Sequence, residues 1–232
     1  MKVLIACEES QEVCKAFRKL GFEAYSCDTE PSTGGKPEWH LQQDVTEILN
    51  KEWELIIAFP PCTYLTNAGM CNMTRKNSDD AYRANRIKKR NEAYDFFMKI
   101  YNSNCKRIAI ENPVGFINSN YRKPDQIIYP YQYGHNVNKR TCLWLKGLPK
   151  LEPTNIVEKG DITTWNNGKK ISVWYKQTLK EAKGDLKLLS KIRSTTFTGI
   201  AEAMAKQWGK QLKTKKWSLV VNNVIQKRIY TK

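Results

Sequence analysis

The chain has little of what builds a metal centre, a disulfide framework or a membrane segment. It holds two histidines, His40 and His135, and its seven cysteines include no Cys-x-x-Cys pair. A structural zinc site, which draws its ligands mainly from those two residue types, is not expected. The odd cysteine count and scattered spacing point to free thiols in a reducing compartment. No apolar run approaches the roughly 20 residues that span a bilayer. Met1-Lys2-Val3-Leu4-Ile5 runs straight into a strand-like segment instead of a leader, so a cytoplasmic setting is expected. Internal repeats and low-complexity tracts are absent. The first loop, Ala6-Cys7-Glu8-Glu9-Ser10, has no Gly-x-Gly. Glycine there lets backbone approach a pyrophosphate, and two acidic residues would repel one, so a dinucleotide is disfavoured.

Acidic residues are in the minority. Lys and Arg total 39 against 23 Asp and Glu, a net charge of +16. Either the partner is polyanionic or the surface is simply lysine-rich. The basic residues gather at Arg83 to Arg90, Lys176 to Arg193 and Lys206 to Lys232. These clusters lack an apolar helical face beside them, which weighs against a membrane-surface role.

What is present is a strand–helix alternation. Strands are expected at Lys2–Ala6, Phe22–Cys27, Leu41–Val45 (carrying Asp44), Trp53–Phe59, Arg107–Ile110, Gln126–Gln132 and Cys142–Leu145. Helices are expected at Gln11–Leu20, Asp79–Tyr101 and Phe197–Leu212, with Met70 to Asn77 irregular. The pattern predicts an α/β fold: a mostly parallel sheet with helices on both faces. Residues 1–150 read as the core and 151–192 as a short basic recognition insert or loop. Residues 193–212 read as a helix returning to the core, and 213–232 as a basic tail.

Two segments share one grammar. Leu55-Ile56-Ile57-Ala58-Phe59-Pro60-Pro61-Cys62 is an apolar strand ending in a stiffened turn with a thiol. Arg107-Ile108-Ala109-Ile110-Glu111-Asn112-Pro113 is another strand, ending in a polar pair and a proline. In one parallel sheet, Cys62 and Glu111 emerge at the same carboxyl edge, where open α/β sheets bind ligands. A thiol beside a carboxyl group there suits covalent chemistry on a polar ring. The bland alternatives stay open: a buried turn thiol for Cys62, a capping or ion-paired role for Glu111.

These residues resemble a family. Phe59-Pro60-Pro61-Cys62 and Glu111-Asn112-Pro113 look like the Pro-Cys and Glu-Asn motifs of cytosine-5 DNA methyltransferases. Asn138-Lys139-Arg140-Thr141 resembles that family's later basic motif, and Thr198-Gly199-Ile200-Ala201 its last one. The whole chain is most similar to a compact, phage-type branch. The resemblance implies a Rossmann-like methyltransferase fold acting on DNA in a bacterial host's cytoplasm, with S-adenosyl-L-methionine as methyl donor. It implies Cys62 as the nucleophile, which makes a pyrimidine's carbon 5 enamine-like by adding at carbon 6. Glu111 would contact the base edge, and Arg140 would supply positive charge or clamp a phosphate. The cofactor would lie against Ala6, Cys7, Glu8, Ser10, Asp28, Asp44, Phe59, Pro60 and Gly199. Thr63, Tyr64, Asn112, Lys139, Trp165 and Trp174 would face the substrate. Tyr131, Tyr133 and His135 are further candidates for substrate contact, and Trp144 and Trp208 are expected in the core.

The sequence departs from the family where Thr63 replaces a glutamine and Pro113 a valine. The short stretch from Leu151 to Lys191 leaves little room for a base-by-base groove reader. Nucleotides or single-stranded DNA are therefore alternative substrates, and a non-catalytic nucleic-acid-binding role is a further alternative. An amino-methylating enzyme fits less well, since Phe59 stands before Pro-Pro and Cys62 after it.

Overall fold

The computed structural model describes residues 1–67, 69, 79–165 and 167–229, with side chains up to residue 214. The expected irregular stretch from Met70 to Asn77, with Cys71, lies outside the described residues, as do the tail's side chains. Seven strands form one sheet: β1 (Lys2–Ala6), β2 (Glu23–Asp28), β3 (His40–Gln42), β4 (Leu55–Ala58), β5 (Ile108–Asn112), β6 (Gln126–Ile128) and β7 (Thr141–Lys146). Their order is β3-β2-β1-β4-β5-β7-β6. All pairings from β3 to β5 are parallel, whereas β7 is antiparallel to both β5 and β6. This is the expected Rossmann-like α/β arrangement, with the order reversing outward from β1.

Alternation along β1 feeds both faces. Val3 and Ile5 pack with Phe17 of α1 (Glu12–Lys19) and with Met204 and Trp208 of α6 (Thr198–Ile229). Leu4 and Ala6 pack on the other face with Phe97 and Ile100 of α2 (Asp80–Tyr101) and with Trp144. Trp144 and Trp208 are core residues, as expected. α1 stops at Gly21, whose φ of 78° is the left-handed conformation glycine accepts without strain. α2 starts at Asp79, whose carboxylate accepts the Tyr82 N–H at 2.6 Å. The short α3 (Phe116–Asn120) follows β5.

Three expectations change. The third strand ends at Gln42, so Asp44 lies beyond it, where its side chain caps a 3₁₀ turn by accepting the Thr46 N–H. The poorly patterned stretch after Leu151 is folded: a hairpin of β8 (Ile162–Thr164) and β9 (Lys170–Ser172) leads into α4 (Val173–Ala182) and α5 (Leu186–Ser194). Its polar composition hid it: α5 is exposed along most of its length, and α4 buries only Thr178 and Ala182. The last helix does not end at Leu212 but continues to Ile229. Among the described residues, no helix is long and apolar enough to cross a membrane.

Trp208 is fully buried and its indole N–H donates to the Pro149 carbonyl at 3.0 Å. Trp208→Ala is expected to cost about 3–5 kcal/mol of stability, the range for large aromatic deletions in a core, measured by chemical denaturation.

Candidate active site

Parallel register brings the expected site residues to one edge. Ala6 lies beside Cys27 on one side and Ala58 on the other, and Ala58 lies beside Ile110. The Phe59 N–H donates to the Ala6 carbonyl at 3.0 Å, which ties the start of the Pro-Pro turn to β1. Because β7 is antiparallel, with Cys142 opposite Asn112, its leading residues Lys139 and Arg140 arrive at this same edge.

The turn holding Cys62 is fixed from both ends. Its carbonyl accepts the Leu65 and Thr66 N–H groups at 2.9 and 3.1 Å. The buried Asn112 amide donates to the Pro60 carbonyl at 3.3 Å, so the end of β5 grips the turn leaving β4. The Leu65 carbonyl accepts the Phe116 N–H at 2.7 Å. Gly115 makes that approach possible, since a Cβ there would stand 1.9 Å from the Leu65 oxygen. Asn112 thus supports the turn from a fully buried position.

Cys62 remains partly accessible, while Cys14, Cys27, Cys105 and Cys142 are buried. Burial pushes the Cys62 thiol up, the Glu111 carboxylate raises it further, and Lys139 and Arg193 draw it back. Burial also raises Glu111, with Lys139 opposing. Glu111 is partly solvent-accessible yet densely surrounded by protein. Cys62, Glu111, Lys139 and Arg193 therefore form one electrostatic cluster. The cations whose charge lowers the thiol pKa are Lys139 and, more weakly, Arg193, which is exposed and lies 5.0 Å from the Tyr175 ring centre; Arg140, also exposed, acts on Cys142 instead. The Lys139 ammonium donates to the Arg193 carbonyl at 2.6 Å, which fastens the end of α5 to the loop before β7.

Sequence reasoning missed Arg193. It stood in a recognised basic cluster, but only the fold of α5 shows that this cluster reaches the thiol. Thr63 is exposed and Tyr64 half-buried beside Cys62, both in positions open to a substrate. Trp165 is exposed at the hairpin, and Trp174 packs against Phe197 with ring centres 5.8 Å apart. Tyr133 is buried, its hydroxyl donating to the Leu151 carbonyl, and so cannot stack on a ligand. The His135 Nε2 accepts the Gly199 N–H at 3.0 Å, a structural task at the start of α6. Gly199 lies so close under the Tyr133 carbonyl that a Cβ would meet it at 1.9 Å.

The expected cofactor residues divide. Cys7 turns through a left-handed φ of 58°; burial is the main cause that raises its thiol pKa, and the carboxylates of Asp28 and, more weakly, Asp44 add to it from the ends of β2 and β3. Asp28 also accepts the Glu30 N–H at 3.0 Å through one oxygen. Ser10 lies in the same loop, half-buried; Pro60 is buried behind Cys62. Glu8, in contrast, turns inward. It is 4% exposed and accepts the Val13 and Cys14 N–H groups at 2.7 and 3.2 Å. It caps α1 and presents no free carboxylate to a ligand. Neighbouring Glu9 pairs with Lys191 at 3.5 Å, and Glu30 with Lys187 at 3.7 Å, so α5 lies across the loops after β1 and β2.

No protein-family model matches the sequence, and no curated protein is similar to it. Similar solved structures include an Entamoeba histolytica methyltransferase, EhMeth, at 17% identity, covering 78% of this chain and 65% of that one, TM-score 0.41. They also include the S. pombe Dnmt2 methyltransferase at 16% identity, covering 65% and 51%, TM-score 0.41. A Spodoptera frugiperda DNMT2 mutant follows at 16%, covering 78% and 65%, TM-score 0.41. The chain thus spans less than two thirds of the length of each of these proteins. Likeness at that level carries neither an activity nor a substrate across to this chain.

Two measurements check this electrostatic picture. Lys139→Gln is expected to slow alkylation of Cys62 by iodoacetamide at neutral pH, read by peptide mass spectrometry, because loss of the cation raises the thiol pKa. Arg140→Gln leaves the rate almost unchanged. Burial pushes the Glu8 carboxyl from its ordinary 4.5 up to about 8. The folded state therefore holds a proton that the unfolded chain has released, and stability falls as pH rises between those values. In Glu8→Gln that part of the slope disappears, measured as melting temperature against pH.

Proposed function

We propose that the chain is an S-adenosylmethionine-dependent methyltransferase that transfers a methyl group to carbon 5 of cytosine in DNA through a covalent Cys62 adduct. The observation that carries this reading is the placement of Cys62 and Glu111 just past the carboxyl ends of adjacent parallel strands, where Glu111 acts on the thiol and Lys139 on both. The ordered motif resemblance supports it independently.

The residues divide the work. A target cytosine leaves its stack to reach the edge. Glu111, its pKa raised by burial, enters as the neutral acid and donates to ring nitrogen 3. In that form it no longer opposes ionisation of Cys62, while Lys139 and Arg193 favour the thiolate. The sulfur adds to carbon 6, a bond forms there, and carbon 5 becomes nucleophilic. S-adenosylmethionine, when bound, supplies the electrophilic methyl group. Transfer would leave the donor as the neutral thioether S-adenosylhomocysteine; carbon 5 then gives its proton to a water or hydroxide, the freed electron pair restores the C5–C6 double bond, and the sulfur leaves carbon 6 as the thiolate. The donor's sulfonium charge fits the negative edge formed by Asp28 and Asp44 around Cys7, which would suit a pyrophosphate poorly. Ala6, Cys7, Ser10, Asp28, Asp44, Phe59, Pro60 and Gly199 would hold it. Thr63, Tyr64, Lys139, Trp165 and Trp174 would meet the substrate.

A second reading keeps the chemistry and changes the substrate to a pyrimidine nucleotide or single-stranded DNA. The small insert favours it, having one three-residue hairpin and two short helices.

Purified protein with labelled methyl donor and duplex, single-stranded or nucleotide substrates separates the readings. Cys62→Ala is expected to abolish transfer, and Glu111→Gln to lower kcat by about 10²-fold or more. Full activity in Cys62→Ala removes the covalent mechanism. The rate depends on an ionised thiol and a protonated carboxyl, so its pH profile is bell-shaped. Lys139→Gln shifts both limbs to higher pH, because Lys139 lowers both groups.

A further inference from the structure

Helix α2 has one face of two characters. Positions 86, 90, 93, 97 and 100 follow one stripe at heptad spacing. In the second half the stripe is Ala93, Phe97 and Ile100, packed into the core. In the first half it is Arg86 and Arg90, with Lys89 beside them. The helix has 22 residues, about 33 Å at 1.5 Å per residue. Strand β4 has 4, about 13 Å. α2 starts at the carboxyl edge and runs down toward β5, so its first half stands beyond that edge, beside the Cys62 turn.

Contacts fix the direction of this cationic face. The Arg86 guanidinium lies 5.0 Å from the Tyr64 ring centre and donates to the Gly69 carbonyl at 3.0 Å. Lys89 lies 5.6 Å from the same ring, and Arg90 lies 4.2 Å from Phe116. Tyr64 is two residues from Cys62, and Phe116 donates its N–H to Leu65. Of the acidic groups at the helix, Asp79 caps it, Asp80 pairs with Arg83, Glu92 lies 4.0 Å from Lys88, and Asp95 is exposed in the second half, off the stripe. The stripe itself carries no carboxylate. Cations interleaved with aromatic rings, on a wall beside a recess that takes a base, suit a nucleic-acid strand.

We propose that Arg86, Lys89 and Arg90 grip the phosphates of the nucleic-acid strand whose base enters the Cys62 recess. This rests on the methyltransferase reading above and adds a partner surface on the catalytic domain's own helix. Tyr64 is the hinge of the surface, stacked under two of the cations and next to the thiol. The grip is sequence-independent, since phosphates carry no base identity.

The test is binding, not turnover. The full chain carrying Cys62→Ala is titrated into fluorescent single-stranded and duplex oligonucleotides across a range of salt. Each phosphate contact contributes about 0.7 to the slope of log affinity against log salt for single strands, and about 0.9 for duplex. Replacing Arg86, Lys89 and Arg90 together by Gln is expected to lower the slope by about 2 or more in at least one arm. Lys89 is exposed, so Lys89→Gln alone spares the fold; it should lower the slope by about 0.7–0.9. Lys150→Gln, another exposed cation beyond the opposite end of β7, leaves it unchanged. An unaltered slope in both the triple and the single variant overturns the grip and leaves the methyltransferase reading standing. Absence of binding to either oligonucleotide also overturns the grip, and methyl transfer to a free nucleotide by the wild-type chain then decides whether the chemistry survives.

Discussion

The hydrogen bond from the Asn112 amide to the Pro60 carbonyl is the constraint on which the candidate site depends. It joins the ends of two neighbouring strands where both leave the sheet. Without it, the Pro-Pro turn and the Glu-Asn corner would be separate loops, free to drift by more than the approach distance of reacting atoms. With it, a thiol and a carboxyl group share one frame. Burial makes the bond count, since an unpaired amide there would bear its full desolvation cost. Gly115 does similar work further along, because removing its side chain lets the next turn close onto Leu65.

The electrostatics of that frame are a balance of opposed terms. Burial and Glu111 keep Cys62 protonated in the free chain; Lys139 and Arg193 pull the other way. A resting thiol that stays neutral is protected from oxidation and alkylation. Protonation of Glu111 removes one of the terms that hold the thiol neutral, and a base edge that accepts a hydrogen bond from the protonated carboxyl keeps it in that form.

Much of this was legible in the residues. The strand alternation, the long helix from Asp79 to Tyr101 and the meeting of Cys62 with Glu111 all follow from apolar periodicity and from proline at strand ends. What was not legible has physical causes. The antiparallel course of β7 leaves no mark on its own pattern, because a buried strand reads the same in either direction. The segment after Leu151 is rich in polar and basic residues and α5 is exposed along most of its length, so little of it reads as part of a packed core. Glu8 was expected at the cofactor because it stands in the loop after β1; its carboxylate instead turns inward to cap α1, with left-handed turns at Cys7 and Gln11 on either side. Arg140 and Lys139 are adjacent in sequence, and only the approach of the loop to α5 decides which of them faces the thiol.

The insert is not an independent attachment. Its helix α5 is bridged to Glu9 and Glu30 on the loops after β1 and β2, and the charge of Arg193 in its last turn acts on the thiol. On the methyltransferase reading, the segment placed to meet the substrate is thereby tied to the ionisation of the nucleophile. Exchanging this segment for another, as modular enzymes allow when they change targets, would alter reactivity together with choice. Divergence of this chain toward new substrates has to conserve a cation at that corner, or re-tune the acid opposite it.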